Sequence, residues 1–131
     1  MRFSSLLSKN VISLYNGTNE GIIISGYFDE RLKKLTVLEV ESQSDSNLAD
    51  EYLLSVKNIY SIGDDAIMIK NNTILDLKIN LGINEYSPIN SYCYNTSGKL
   101  LGKVSDIEFD EKFNISKFII DESEIESNRL A

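Results

Sequence analysis

Histidine and tryptophan are absent from this chain of 131 residues, and cysteine and proline occur once each. Histidine is the side chain that titrates without help between about pH 5 and 8, so its absence excludes Ser-His-Asp catalysis, Cys-His catalysis and any imidazole metal site. A single cysteine excludes an intrachain disulfide and a multi-cysteine zinc site. No Ser-x-x-Lys or Gly-x-Ser-x-Gly sequence occurs either. We therefore expect no enzyme activity, no catalytic residues and no cofactor.

Positive charge is also scarce, because 13 Lys and Arg face 20 Asp and Glu, for a formal net charge of −7. Nucleic-acid affinity comes largely from cations that neutralise phosphates, so we expect no nucleic-acid binding. No apolar run approaches the ~20 residues that cross a bilayer. The start of the chain lacks the ~7 to 15 apolar residues of an export signal. These absences predict a cytoplasmic protein without membrane insertion.

The chain does contain short apolar segments bounded by Gly, Asn, Asp and Ser, with 42% hydrophobic residues in all. This pattern is typical of strands and predicts an all-β fold, a small barrel or sandwich. The predicted strands are 11–15, 21–28, 34–40, 51–56, 59–62, 66–70, 89–94, 102–109 and 115–121. Asn16-Gly17 and Gly63-Asp64 are predicted to supply positive-φ residues for tight turns. The polar stretch 41–50 predicts an exposed, mobile hairpin loop.

An internal repeat is visible at an offset of 81 residues, where Gly17 and Gly21 fall on Gly98 and Gly102. The same register places Phe-Asp-Glu-Arg-Leu at 28–32 on Phe-Asp-Glu-Lys-Phe at 109–113. After a further shift of two residues, 34–38 falls on 117–121. A strand, a glycine turn, a long strand, an acidic turn and a strand therefore recur, which indicates a duplicated unit.

The place of the only cysteine in the repeat follows from the same alignment. Cys93 falls on Ile12, within a predicted strand and between two tyrosines. A reactive thiolate needs neighbouring positive charge, so we expect Cys93 to be a small buried hydrophobic residue.

The two copies are unequal, because the first continues to residue 70 and the second has only three predicted strands. A three-stranded fragment has open backbone edges and one uncovered apolar face. It could pack on the first unit, exchange strands with a second chain, or be completed by further residues. We favour self-association, because a strand edge is self-complementary in a symmetric dimer. The residues predicted to mediate it are Phe113, Ile115, Phe118 and Ile120.

Three stretches carry a family resemblance: Val-Ile-Ser-Leu-Tyr-Asn-Gly at 11–17 followed by Gly21, the long second strand, and the segment 51–69 containing Ile-Gly-Asp-Asp. They resemble the PRC-barrel family, named after the photosynthetic reaction centre H subunit and also seen at the C-terminus of a ribosome maturation factor. Residues 1 to about 72 are similar to one whole barrel, as in small stand-alone members of spore-forming bacteria. Residues 89–121 are similar to the opening half of another. The resemblance implies a compact β-barrel used for protein contacts, with no catalytic residues. Its fold-determining turns would lie at Gly17, Gly21, Gly63, Asp64, Gly98 and Gly102.

Asp106, Glu108 and Asp110 alternate along a predicted strand, which places their carboxylates on one face. A hard cation such as Ca²⁺ accepts oxygen ligands of this kind, so the three residues are weak candidates for a metal site. We prefer a solvated strand face, because Glu111 stands where a calcium loop needs glycine. Glu122, Glu124 and Glu126 predict a solvated tail or a frayed helix, and steering of a basic partner is the alternative.

Taken together, residues 1–76 are predicted to form a PRC-barrel-like domain, and residues 77–131 a partial repeat with an acidic C-terminal tail. The expected function is a non-enzymatic protein–protein interaction module that self-associates as a homo-oligomer and binds a protein partner. One alternative is a ribosome maturation or assembly factor, by analogy alone. Another is a small-ligand or metal-binding barrel, although about 8 strands are usually needed before a cavity opens.

Overall fold

The computed structural model of this protein describes residues 1–29, 31–42, 51–72, 75–77 and 87–121. The described residues form one short helix, α1 (Phe3–Leu6), a 3-10 turn (Val56–Asn58), and the strands β1 (Asn10–Ser13), β2 (Asn19–Phe28), β3 (Leu35–Glu41), β4 (Glu51–Ser55), β5 (Ile59–Ile62), β6 (Ala66–Ile69), β7 (Asp76–Leu77), β8 (Tyr92–Tyr94), β9 (Leu100–Phe109) and β10 (Ile115–Ile120). Every predicted strand is present, with ends that differ by a few residues. The sequence patterns did not predict α1 or β7, because elements of four and two residues are too short to show a repeated pattern.

The strands form two sheets, with the orders β5-β6-β1-β2-β3-β4-β7 and β10-β9-β8. Only β1 and β6 pair in parallel among these strands, and the other pairs are antiparallel. The all-β class is therefore confirmed. The closed barrel expected for residues 1–76 is not formed by the described residues, because β5 pairs only with β6 and β7 only with β4. Without a pair between the two terminal strands, the sheet remains open.

The two sheets share one hydrophobic core. The seven-stranded sheet contributes Leu35, Leu38, Leu54 and Ile67, and the three-stranded sheet contributes Val104, Ile107, Phe109 and Ile120. Phe3 of α1 joins them, with ring centroids 5.6 Å from Phe28 and 6.4 Å from Phe109. A fully buried side chain of this kind contributes roughly 1.5–3 kcal/mol. Of the three arrangements left open by the sequence, the described residues 87–121 adopt the first and pack on the first unit.

Two predicted segments lie outside the residues that the structure describes. The hairpin loop predicted at 41–50 falls there apart from residues 41 and 42, and so does the acidic segment 122–126. The core crosses the predicted boundary between residues 76 and 77, because buried side chains from both sides contact one another.

Candidate functional site

The first hairpin of each unit has the same register, shifted by one residue from the predicted alignment. Val11 pairs with Gly21 in β1 and β2, whereas Cys93 pairs with Gly102 in β8 and β9. Cys93 therefore corresponds to Val11, and its predicted alignment with Ile12 is wrong. Strand register is fixed by the face that must be buried, and a one-residue difference in the turn between the strands is invisible to a gapless comparison. Cys93 is half-buried and packs against the core.

The second hairpin corrects the alignment again. Phe28 pairs with Leu35 in β2 and β3, and Phe109 pairs with Ile115 in β9 and β10. Leu35 therefore corresponds to Ile115, so the predicted shift of two residues is wrong. Both hairpins carry bulges at corresponding places, one near the acidic turn and one near the far end of the pair. Bulges are local features of backbone geometry, and side-chain identity did not reveal them.

The acidic turns of the two units contact each other with approximate twofold symmetry. An isolated bridge pairs Lys34 with Asn114. On one side the Leu35 amide donates to the Phe113 carbonyl at 3.0 Å, and on the other the Ile115 amide donates to the Lys33 carbonyl at 2.8 Å. Each unit therefore donates one backbone hydrogen bond to the other and accepts one from it, and this contact joins the two sheets at their turns.

The outer edges of the two units differ, and this difference defines the candidate site. In the first unit, β6 covers the outer edge of β1 and β4 covers that of β3. In the second unit, β8 and β10 are the terminal strands of their sheet within the described part of the chain. An uncovered strand edge presents a row of backbone donors and acceptors that can pair with another strand.

The residues predicted to mediate self-association lie at or beside the open edge, but their apolar side chains face inward. Ile120 is 3% exposed and belongs to the core, and Phe113, Ile115 and Phe118 are half-buried against it. The first unit covers this apolar face, which is the first of the three arrangements that the sequence left open. Among the described residues, β10 leaves its outer backbone edge open, and its exposed Ser116 and Lys117 side chains already contact Glu108.

The second open edge, at β8, presents aromatic side chains. Tyr92 and Tyr94 are 55% and 59% exposed, and Leu100 pairs with Tyr94 across the hairpin. The ammonium group of Lys103 lies 5.0 Å from the Tyr92 ring centroid, a cation–π contact. A shallow pocket of about 150 Å³ lies beside them, lined by Leu32, Pro88, Ser91, Tyr92, Cys93, Val104 and Phe118.

The three candidate metal ligands have separate partners. Asp106 is buried, and its carboxylate accepts two hydrogen bonds from Ser4. The Ser4 backbone nitrogen donates at 3.0 Å and the Ser4 hydroxyl at 2.5 Å. Glu108 lies 3.5 Å from the Lys117 ammonium nitrogen. Asp110 lies in the turn beyond β9 and accepts from the Asn114 amide at 2.9 Å. The described residues contain no group of three or more acidic or cysteine side chains placed to hold a metal ion.

Hydrogen bonds at Asp110 change the acidity of its side chain. The backbone amide of Asn114 lowers the pKa of the Asp110 carboxyl below its usual value, and the Asn114 side-chain amide and the Lys112 amide act in the same direction. These hydrogen bonds from Lys112 and Asn114 to the Asp110 carboxylate stabilise the acidic turn that contacts the first unit.

The predicted turn residues divide into two groups. Gly17, Gly21, Gly98 and Gly102 all adopt positive φ, in the hairpin turns and at the start of the long strands. Gly63 and Asp64 do not, so the positive φ predicted there is wrong, whereas the predicted turn is present and joins β5 to β6. That turn is closed instead by the Gly63 amide, which donates to the Ala66 carbonyl at 2.8 Å. The Lys9 ammonium group also donates to the carbonyls of Gly63 and Asp64, at 3.0 and 2.7 Å.

Sequence reasoning missed two buried polar contacts. The first is the bond between Asp106 and the start of α1. The second joins Tyr27, whose hydroxyl donates to Glu39 where both side chains are buried. Glu39 stands in the predicted strand 34–40, and a lone charged residue inside an apolar run is the signal that could have suggested a buried partner.

No protein-family model matches the chain, and no curated protein matches it in sequence. Among the described residues, no helix is long and apolar enough to cross a membrane.

Proposed function

We propose that this protein is a non-enzymatic interaction module of the PRC-barrel type that self-associates through the outer edge of β10. One observation carries the proposal: strands β4 and β6 cover the outer edges of the first unit, and the corresponding edges of the second unit are open among the described residues. The PRC-barrel assignment is supported by the resemblance of residues 11–17 and 51–69.

The internal repeat favours β10 over β8 as the self-association edge. The strand that covers β3 is antiparallel, and the strand that covers β1 is parallel. Pairing of two identical edge strands about a twofold axis perpendicular to the sheet brings them together antiparallel. An antiparallel partner therefore reproduces at β10 the arrangement seen at β3. The Ile115 amide already donates to the Lys33 carbonyl, so the edge that the described residues leave open begins beyond Ile115.

Sedimentation velocity across the micromolar range tests this proposal. We expect a concentration-dependent dimer for the unmodified protein and a monomer for Ile119→Lys. Ile119 is half-buried on β10 and is not part of the core, and a charge on an edge strand opposes edge-to-edge pairing. Thr96→Lys adds the same charge in an exposed turn and should leave the dimer intact.

Hydrogen exchange tests the same proposal on the unmodified protein, so it does not require a folded variant. Amides in 117–119 should gain protection as the protein concentration rises, whereas those of Tyr92 and Tyr94 should not. A monomer at every concentration would contradict the proposal, and so would a dimer that protects β8 in place of β10.

A further inference from the structure

A groove follows β5, the terminal strand of the seven-stranded sheet. Two pockets of about 250 and 320 Å³ adjoin there, and Ile59 and Tyr60 line both. One end of the groove is completed by Lys57, Asn58 and Lys70, and the other by Met1, Ser61, Ile62, Glu111 and Phe113. The groove therefore has a basic end and a mainly apolar end, along a strand edge that no other described strand covers.

The basic end has unbalanced positive charge. Lys57 and Lys70 are both exposed, and neither forms an ion pair within the described part of a chain whose formal net charge is −7. Lys117, by contrast, pairs with Glu108. Two ammonium groups on one pocket repel each other, and a carboxylate placed between them adds attractions that outweigh this repulsion.

The apolar end has side chains suited to an apolar residue of a partner. Ile62 and Phe113 are half-buried, and Met1 is 41% exposed. Tyr60, where the pockets meet, is 65% exposed. An extended peptide that adds to a strand edge gains main-chain hydrogen bonds, and pockets along the edge select its side chains.

We propose that the β5 groove binds an extended acidic peptide of a partner protein. Its carboxylates lie at Lys57 and Lys70, and an apolar side chain lies at Ile62 and Phe113. The peptide adds to the open edge of β5 as a further strand. Lys57 and Lys70 belong to the first unit and not to β10, so substitutions at these lysines test the groove separately from self-association.

Fluorescence anisotropy tests the site with a labelled extended peptide that has glutamates towards one end and valines towards the other. We expect saturable binding that weakens with added salt. The double substitution Lys57→Glu/Lys70→Glu should weaken it by at least about tenfold, which corresponds to roughly 1.4 kcal/mol. The matched control is Arg31→Glu/Lys99→Glu, which makes the same change in net charge at exposed turn positions and should leave the affinity within about twofold.

Four outcomes of the peptide-binding measurements would overturn the proposal. They are absence of binding by the unmodified protein, retained affinity after Lys57→Glu/Lys70→Glu, an equal loss in the control, and equal binding of a lysine–valine peptide. Preference for a single-stranded oligonucleotide over the acidic peptide would also refute it, because it would assign the lysines to phosphates. The variant Lys57→Glu/Lys70→Glu should dimerise like the unmodified protein in sedimentation, so failure of this site and failure of the β10 dimer are distinguishable.

Discussion

Removal of the Asp106 carboxylate should detach the start of the chain from the three-stranded sheet. Asp106 is 8% exposed, and its oxygens accept from the Ser4 amide, the Ser4 hydroxyl and the Ile107 amide at 3.0, 2.5 and 2.8 Å. The Ser4 amide belongs to the first turn of α1, where amides have no partner within the helix. The carboxylate therefore caps α1 from a distant strand and holds Phe3 against Phe109.

The expected cost of Asp106→Ala is about 3 kcal/mol, since a hydrogen bond to a charged group contributes about 1.5–3 kcal/mol and loss of a cap costs about 1 kcal/mol. Asp106→Asn keeps an acceptor for the Ser4 amide and should cost about 1 kcal/mol. Ser4→Ala removes only the hydroxyl and should cost about 1 kcal/mol as well. Urea denaturation with a shared m value measures these differences.

A double-mutant cycle between Asp106→Ala and Ser4→Ala isolates the contact itself, and we expect a coupling of about 1 kcal/mol. A loss below about 0.5 kcal/mol for Asp106→Ala would refute the reasoning, because changes of that size are usual at surfaces without such contacts. Unchanged exchange of the Ser4 amide in Asp106→Ala would refute the capping role separately.

Two further predictions concern the turns. Gly21→Ala should destabilise the protein by at least about 3 kcal/mol, because Gly21 has φ +142° and an added Cβ would lie 2.8 Å from the Glu41 carbonyl carbon. Gly17→Ala should cost only about 1 kcal/mol, because Gly17 has φ +70° and open space around it. Equal losses of stability for the two variants in urea denaturation would contradict this prediction. The lowered pKa of Asp110 means that its ionised form stabilises the folded state above the unfolded pKa, and this contribution is lost as the pH falls through the folded pKa. The stability difference between the unmodified protein and Asp110→Asn should therefore shrink from pH 6 towards pH 3, and a difference that is constant across this range would disprove the role of the charge.

Much of the strand layout was predictable because each strand carries a local signal. The segment 21–28 is apolar and is flanked by turn residues, and it forms β2. The glycine turns were predictable for the same reason, since Gly17 and Gly98 occupy backbone conformations that other residues rarely adopt. Gly63 shows the limit, because glycine permits positive φ without requiring it.

The candidate site was less predictable, because its features depend on contacts between distant segments. Asp106 was placed correctly on a strand and assigned to a solvated face, whereas α1 covers it. Lys57 and Lys70 carried no signal, since 13 residues separate them in the chain. The pairing of β5 with β6 brings them to one pocket.

The sequence by itself determined the all-β class, the positions of the strands and the duplication of a three-stranded unit, because alternation, turn chemistry and repeated residues are local properties of a chain. Tertiary structure alone decided how the two copies align, which edges are covered and what covers the apolar face of the second unit. Bulges and one-residue differences in turns set the register, and burial against a shared core settled the rest. The register, the covered edges and the shared core depend on packing between residues about 80 positions apart in the chain, and local sequence patterns do not encode contacts at that separation.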